Sequence, residues 1–120
     1  MLGAIIGDIV GSVYEWNNHK SKEFTFLTYR NFFTDDSVMS LAIAKALLMA
    51  KPDHSDLSDV AIKYMQEVGR KYPDCGYGGG FYKWMFLDDP KPYMSYGNGA
   101  AMRVSACGFA ATSLEEAILL

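Results

Sequence analysis

Between Ser37 and Ala50 the chain carries apolar residues on both sides of a helical projection. Val38, Leu41, Ala42, Leu48 and Met49 share one face, while Ile43 and Leu47 lie on the other. A helix that is apolar nearly all round must be surrounded by other elements, so the pattern predicts a central, almost fully covered helix. Lys51-Pro52 stops it, because proline cannot continue the hydrogen-bond ladder. Leu57, Val60, Ala61, Tyr64, Met65 and Val68 then recur at i, i+3, i+4, i+7, i+8 and i+11 and run out at Gly69-Arg70-Lys71, which predicts an amphipathic surface helix. Strand-like alternation of useful length is absent. The expectation is an all-α, compact multi-helix domain occupying residues 1–120.

Other elements are weaker in pattern but readable. From Leu2 to about Tyr14, Gly3, Gly7 and Gly11 recur at i, i+4 and i+8, drawing a stripe along which another backbone could approach closely. Glu23–Phe33 reads as a mixed aromatic loop and Pro73–Gly80 as a loop. Phe81, Trp84 and Met85 suggest a short helical turn, and Asn98 to about Ala111 a single helix of small residues. Ser113-Leu114-Glu115-Glu116 is a capping box opening a further helix. Ala117-Ile118-Leu119-Leu120 begins an apolar face with nothing after it, and a freshly started hydrophobic helix seldom closes a native chain, so the sequence reads as a fragment.

Composition narrows the function classes. Half of the 120 residues are apolar, which argues against disorder, and a net charge of -3 with scattered Lys and Arg argues against bulk nucleic-acid binding. The N-terminal apolar stretch has no basic flank and is interrupted by Asp8 and Glu15, so it reads as neither a signal peptide nor a membrane span. Cys75 and Cys107 follow no metal-ligand spacing; two free thiols in a reducing, cytoplasmic setting are expected.

The chemistry concentrates at Thr34-Asp35-Asp36, which heads the central helix. Such residues ordinarily cap a helix, satisfying free amides and matching the macrodipole. They are also hard oxygen ligands. If the first helix persists, Asp8 and Glu15 lie seven residues apart on one face, so up to four carboxylates could meet Thr34 around Mg²⁺ or Mn²⁺. Gly76-Tyr77-Gly78-Gly79-Gly80 lacks the Lys-Ser/Thr of a P-loop, and glycine loops of this kind are usually turns. Ser95-Tyr96-Gly97-Asn98 leads a hydroxyl, a glycine and an amide into a helix start, a reasonable diphosphate cradle. Arg103 reads first as half of a structural ion pair and second as a phosphate ligand. His19 and His54 read as surface residues. The aromatics Tyr14, Trp16, Tyr77, Phe81, Tyr82, Trp84 and Tyr96 read mostly as core or rim, with one or two near a glycine loop placed to stack an adenine.

Taken in order, Leu2-Gly3-Ala4-Ile5-Ile6-Gly7-Asp8-Ile9-Val10-Gly11-Ser12-Val13-Tyr14-Glu15, Thr34-Asp35-Asp36-Ser37 and Gly97-Asn98-Gly99-Ala100-Ala101-Met102-Arg103 resemble the N-terminal portion of the ADP-ribosylglycohydrolase family (dinitrogenase reductase-activating glycohydrolase-like). The resemblance implies an all-α fold with a two-magnesium site. Thr34, Asp35 and Asp36 would match metal ligands, and Glu15 the catalytic carboxylate at metal and substrate. Gly78, Ser95, Tyr96, Gly97, Asn98 and Gly99 would lie along ADP-ribose, with Asp8 structural. Ser37 stands where many relatives place threonine. A second Asp-x-Asp-Thr ligand set, carried by family members in their C-terminal part, has no counterpart in this chain. The implied function is metal-dependent hydrolysis of ADP-ribose from a modified protein side chain or related acceptor. This chain would carry about half of the site and be inactive alone unless a separate C-terminal polypeptide docks onto it. Two other readings stand beside it: a non-catalytic ADP-ribose-binding or structural relative, and a helical fragment that only contributes to a larger core.

Overall fold

The computed structural model describes residues 1–120 as seven helices and no strand. They are α1 (Leu2–Gly11), α2 (Asp35–Met49), α3 (Leu57–Lys71), α4 (Gly79–Met85), α5 (Gly99–Met102), α6 (Ser105–Ala110) and α7 (Leu114–Leu119). The all-α expectation holds. Helix α2 is the hub, touching α1, α3, α5 and α6. Val38, Met39 and Ala42 on α2 pack with Cys75 and gather Met65, Val68, Tyr77, Phe81 and Met102 around them. One end further along, Ala46, Leu57 and Tyr64 form a second cluster that also receives Leu120. Both cysteines are buried free thiols, as expected.

Helix α2 is covered less completely than its sequence pattern predicts. Its buried residues run from Ser37 to Ala46, whereas Leu48 and Met49 at the C-terminal end stand in solvent. Helix α3 follows its amphipathic pattern and clasps α4 with polar side chains: Gln66 Nε2 donates to the carbonyl of Leu87 (2.8 Å) and Arg70 Nε to that of Met85 (2.7 Å). These bonds satisfy carbonyls that the end of a short helix leaves unpaired. Gly69 makes the close approach possible. A Cβ there would overlap Met85 Sδ and lie 3.3 Å from Met39 Cε, and both methionines are fully buried, so neither can swing away. Gly69→Ala is therefore expected to lower stability by about 1–2 kcal/mol, the overpacking cost exceeding the gain in helix propensity. Urea denaturation followed by circular dichroism measures it, and an alanine variant as stable as the parent would contradict this packing.

Two boundaries differ from expectation for identifiable reasons. Helix α1 stops at Gly11 rather than Tyr14, and side chains take up the carbonyls at its end: Asn31 Nδ2 donates to those of Ile9 (2.8 Å) and Val10 (3.2 Å), and Ser12 Oγ to that of Ile9 (2.9 Å). Those are the acceptors that Val13 and Tyr14 would need to continue the helix. The single helix expected over Asn98–Ala111 is two, parted at Arg103 and Val104, where ψ rises to -4° and 2°. The capping box at Ser113 forms on one side only. Ser113 Oγ accepts from Glu116 N (3.1 Å), while Glu116 Oε2 accepts from Thr112 N (2.7 Å) instead of from Ser113 N.

Apolar faces remain open. Surface area is 8461 Å², against roughly 6,500 Å² from the area–mass relation for a folded monomer of this size. Leu2 and Ile6 on α1, Phe109 on α6 and Ile118 and Leu119 on α7 are exposed. A Cβ on Gly3, Gly7 or Gly11 would meet nothing within 4 Å, so the glycine stripe of α1 borders open space. No helix is long and apolar enough to cross a membrane.

Candidate active site at the start of helix α2

The sequence brings α1 to the head of α2 through one carboxylate. Asp8, three residues before the end of α1, accepts from Thr34 N (2.8 Å), Thr34 Oγ1 (2.5 Å) and Ser37 N (3.1 Å). Thr34 is itself the N-cap, its hydroxyl accepting from Asp36 N at 3.3 Å. Asp8 thus acts as a second cap supplied from another helix, and its structural reading fits the contacts. Ser37, beside it, is buried with a hydroxyl that has no partner.

Asp35 and Asp36 occupy the first turn of α2 and diverge slightly. The Asp35 N–H donates to the carbonyl of Cys75 (2.7 Å), and Oδ1 lies 3.8 Å from where a Cβ on Gly76 would be. Gly76 has φ +87°, a conformation that favours glycine, so the turn that backs Asp35 is set by that residue. The rest of the glycine run has ordinary geometry and serves as the turn into α4, with Gly78 at its N-cap. Asp36 is exposed on the other side, near Thr34 and Asp8.

Like charge accumulates here with no ion pair to relieve it. Burial first, then Asp36, with additional pushes from Glu15 and Asp8, raises the Asp35 carboxyl to about 6. Burial and Asp8 also raise Asp36, opposed by the Thr34 hydrogen bond. None of the four acids forms an ion pair; the ion pairs present are Lys45–Glu67, Lys71–Glu67 and Lys91–Asp89. Glu15 therefore acts electrostatically on Asp35 even though it lies past the end of α1. The helical register supposed for Asp8 and Glu15 does not exist, so their shared face is not the cause. Glu15 is exposed and makes no hydrogen bond.

No three of the histidine, cysteine, aspartate and glutamate side chains are gathered closely enough to hold a metal ion. The set at α2 is two carboxylates and a hydroxyl, all hard oxygen, under an excess of negative charge and with an orphaned hydroxyl at Ser37. That chemistry suits Mg²⁺ or Mn²⁺ as part of a coordination shell and suits a soft cation poorly.

The raised Asp35 pKa has a definite sign in stability. The unfolded chain ionises this group near 3.8 and the folded chain near 6, so its neutral form is favoured in the fold. Stability linked to it is present below the lower value and lost as pH rises through the upper one. Asp35 is half exposed, and with solvent screening the loss is on the order of 1 kcal/mol. Denaturation curves of the parent and Asp35→Asn are expected to diverge between pH 4 and 7, the variant becoming relatively more stable; parallel curves would contradict the crowding of acids.

The other expected site residues are only partly gathered. Ser95, Tyr96, Gly97 and Asn98 are all exposed, with Gly97 N donating to Ser95 Oγ (3.2 Å) as a local turn. Gly99 is half-buried and opens α5, which has four residues, too few for a strong helix dipole. Tyr96 and Trp16 are almost wholly exposed, correcting their reading as core or rim, while Trp84 is buried and donates from Nε1 to the Lys91 carbonyl (2.9 Å). Arg103 forms no ion pair, contrary to its first reading. Asn31 was not singled out in the sequence, because its role depends on carbonyls far away in the chain.

A family model described as ADP-ribosylglycohydrolase matches residues 1–120. The chain is similar to ADP-ribosylhydrolase ARH3 of Xenopus tropicalis, at 30% identity over 98% of this chain and 40% of the relative. It is also similar to ARH3 of Homo sapiens and of Mus musculus, each at 32% identity over 97% of this chain and 39% of the relative. The chain thus spans about 40% of the length of these curated relatives. No solved structure matches it significantly.

Proposed function

Because the chain belongs to the ADP-ribosylglycohydrolase family, we propose that it is the N-terminal portion of a single domain that hydrolyses ADP-ribose from a modified protein side chain or a related acceptor. The observation that carries this reading is the mutual repulsion of acids at the head of α2, where Asp36, Glu15 and Asp8 act on Asp35 and no ion pair relieves them. Thr34, Asp35 and Asp36 would hold divalent cations. Bound there, Mg²⁺ or Mn²⁺ would supply positive charge that orients the ribose and a water.

Each residue of this chain has a definite task in that scheme. Asp8 fixes the Thr34 hydroxyl and the first amides of α2, so the ligands start from a rigid turn. Glu15, exposed and unpaired, is free to move a proton or to steady the oxocarbenium-like charge that develops at the anomeric carbon. Gly78 and the Ser95–Gly99 turn would follow the diphosphate and ribose, and the exposed Tyr96 ring offers a stacking surface. The remaining ligands and the cover for α1 would come from a C-terminal polypeptide. The open glycine stripe, the excess surface and the 40% coverage of the relatives support that partner.

Incubating the full-length protein with an ADP-ribosylated peptide, and measuring free ADP-ribose by chromatography, tests the reading. Release in Mg²⁺ or Mn²⁺ that stops on chelation is expected. Release unaffected by chelation would overturn the metal assignment, and calorimetric ADP-ribose binding without any release would favour the binding-only relative.

A further inference from the structure

Arg103 is a half-buried cation with no anionic partner. Its guanidinium carbon lies 5.1 Å from the centre of the Phe81 ring, and Nη1 is 3.2 Å from the sulfur of Met65. Nη2 lies 3.8 Å from where a Cβ on Gly99 would be. A guanidinium has five N–H donors, and a thioether is a weak acceptor for one of them, so most of its hydrogen-bonding capacity is unused and its charge forms no ion pair. Burial works against that charge, while Tyr93 and Asp35 favour it. Aromatic and sulfur contacts could be made by a methionine or leucine without the cost of desolvating a cation.

Position distinguishes this arginine from the other cations. Phe81 lies one turn into α4, just after Gly78; Gly99 ends the Ser95–Gly99 turn; Asp35 heads α2. The Arg103 side chain therefore packs on Phe81, borders Gly99 and feels the charge of Asp35. We propose that Arg103 is the charge-balancing and positioning residue of this site, its cation offsetting the acids of α2 and holding the Ser95–Gly99 turn ready for an anionic diphosphate. The inference rests on the functional reading given above. It adds a role for charge that neither a capping nor a packing role for this residue would require.

Opposite effects on two ligands separate charge from packing. Isothermal titration of the full-length protein with MgCl₂ and, separately, with ADP-ribose is carried out on the parent, Arg103→Met, Arg103→Gln and Arg103→Lys, alongside thermal melts. Arg103→Met preserves the apolar contacts and removes the cation. It is expected to bind Mg²⁺ about three- to tenfold tighter and ADP-ribose about tenfold weaker. Arg103→Gln, which keeps polarity should the methionine variant melt early, is expected to shift both affinities in the same directions. Arg103→Lys should restore the Mg²⁺ affinity of the parent and part of the ADP-ribose affinity, since it lacks the planar fork. Parallel weakening of both ligands in the methionine and glutamine variants, or no change in either, would overturn the inference and leave the functional reading intact. A parent protein that binds neither ligand would overturn that reading and this inference together.

Discussion

Asp8→Ala is expected to lower the unfolding free energy by about 3 kcal/mol. The Asp8 carboxylate accepts from two backbone N–H groups and one hydroxyl, all at the head of the hub helix. Alanine would leave the Thr34 and Ser37 amides without that acceptor, and Thr34 is only 4% exposed, so water cannot replace it without opening the junction of α1 and α2. Loss of like-charge repulsion with Asp36 offsets a small part of the cost. Domains of this size hold only about 5–15 kcal/mol in total, so the variant should unfold at clearly lower urea concentration. Asp8→Asn keeps an acceptor oxygen and should lose about half as much. A change below about 0.5 kcal/mol for alanine would show that α1 does not cap α2.

Asp35→Asn and Asp36→Asn are expected to act in the opposite direction on stability while abolishing function. A capping role predicts destabilisation of a few tenths to 1 kcal/mol, because a negative charge at a helix start is favourable. At this helix start, burial and neighbouring acids disfavour the charge strongly enough to raise both pKa values. Removing it should therefore stabilise the ligand-free protein slightly. In the full-length protein, ADP-ribose release should fall at least about a hundredfold, since loss of even an outer-shell partner commonly costs 10–100-fold. Retained turnover in either variant would remove these residues from the site; stability that falls in both would return them to capping.

The helices of this fold were legible wherever apolar spacing was long and regular. The pattern at Leu57–Val68 anticipates α3 from start to finish, and Thr34 before Ser37–Ala50 anticipates the cap and body of α2. What spacing could not show was set by side chains distant in sequence. Asn31 reaches back to the carbonyls at the end of α1, and Arg103, at the break in the helix expected over 98–111, turns to the distant Met65 and Phe81. The exposure of Leu48 and Leu119 reflects the same limit, since periodicity says which residues need cover and not whether this chain provides it. In the candidate site, Thr34-Asp35-Asp36 was readable as a local motif. The convergence of Asp8, Glu15, Asp35 and Asp36 on one ion was expected from a helical register that the fold does not use, and these carboxylates are not gathered closely enough to form such a cluster, although Glu15 still acts electrostatically on Asp35.

The central claim is that oxygen atoms at the head of α2 receive a divalent cation. Calorimetric titration of the full-length protein with MnCl₂ at pH 7.5, repeated with Asp36→Asn, tests it most directly. Saturable binding of at least one ion in the parent, lost in the variant while its circular dichroism is unchanged, is the expected result. Heats indistinguishable from dilution in the parent, or equal affinity in the variant, would contradict it.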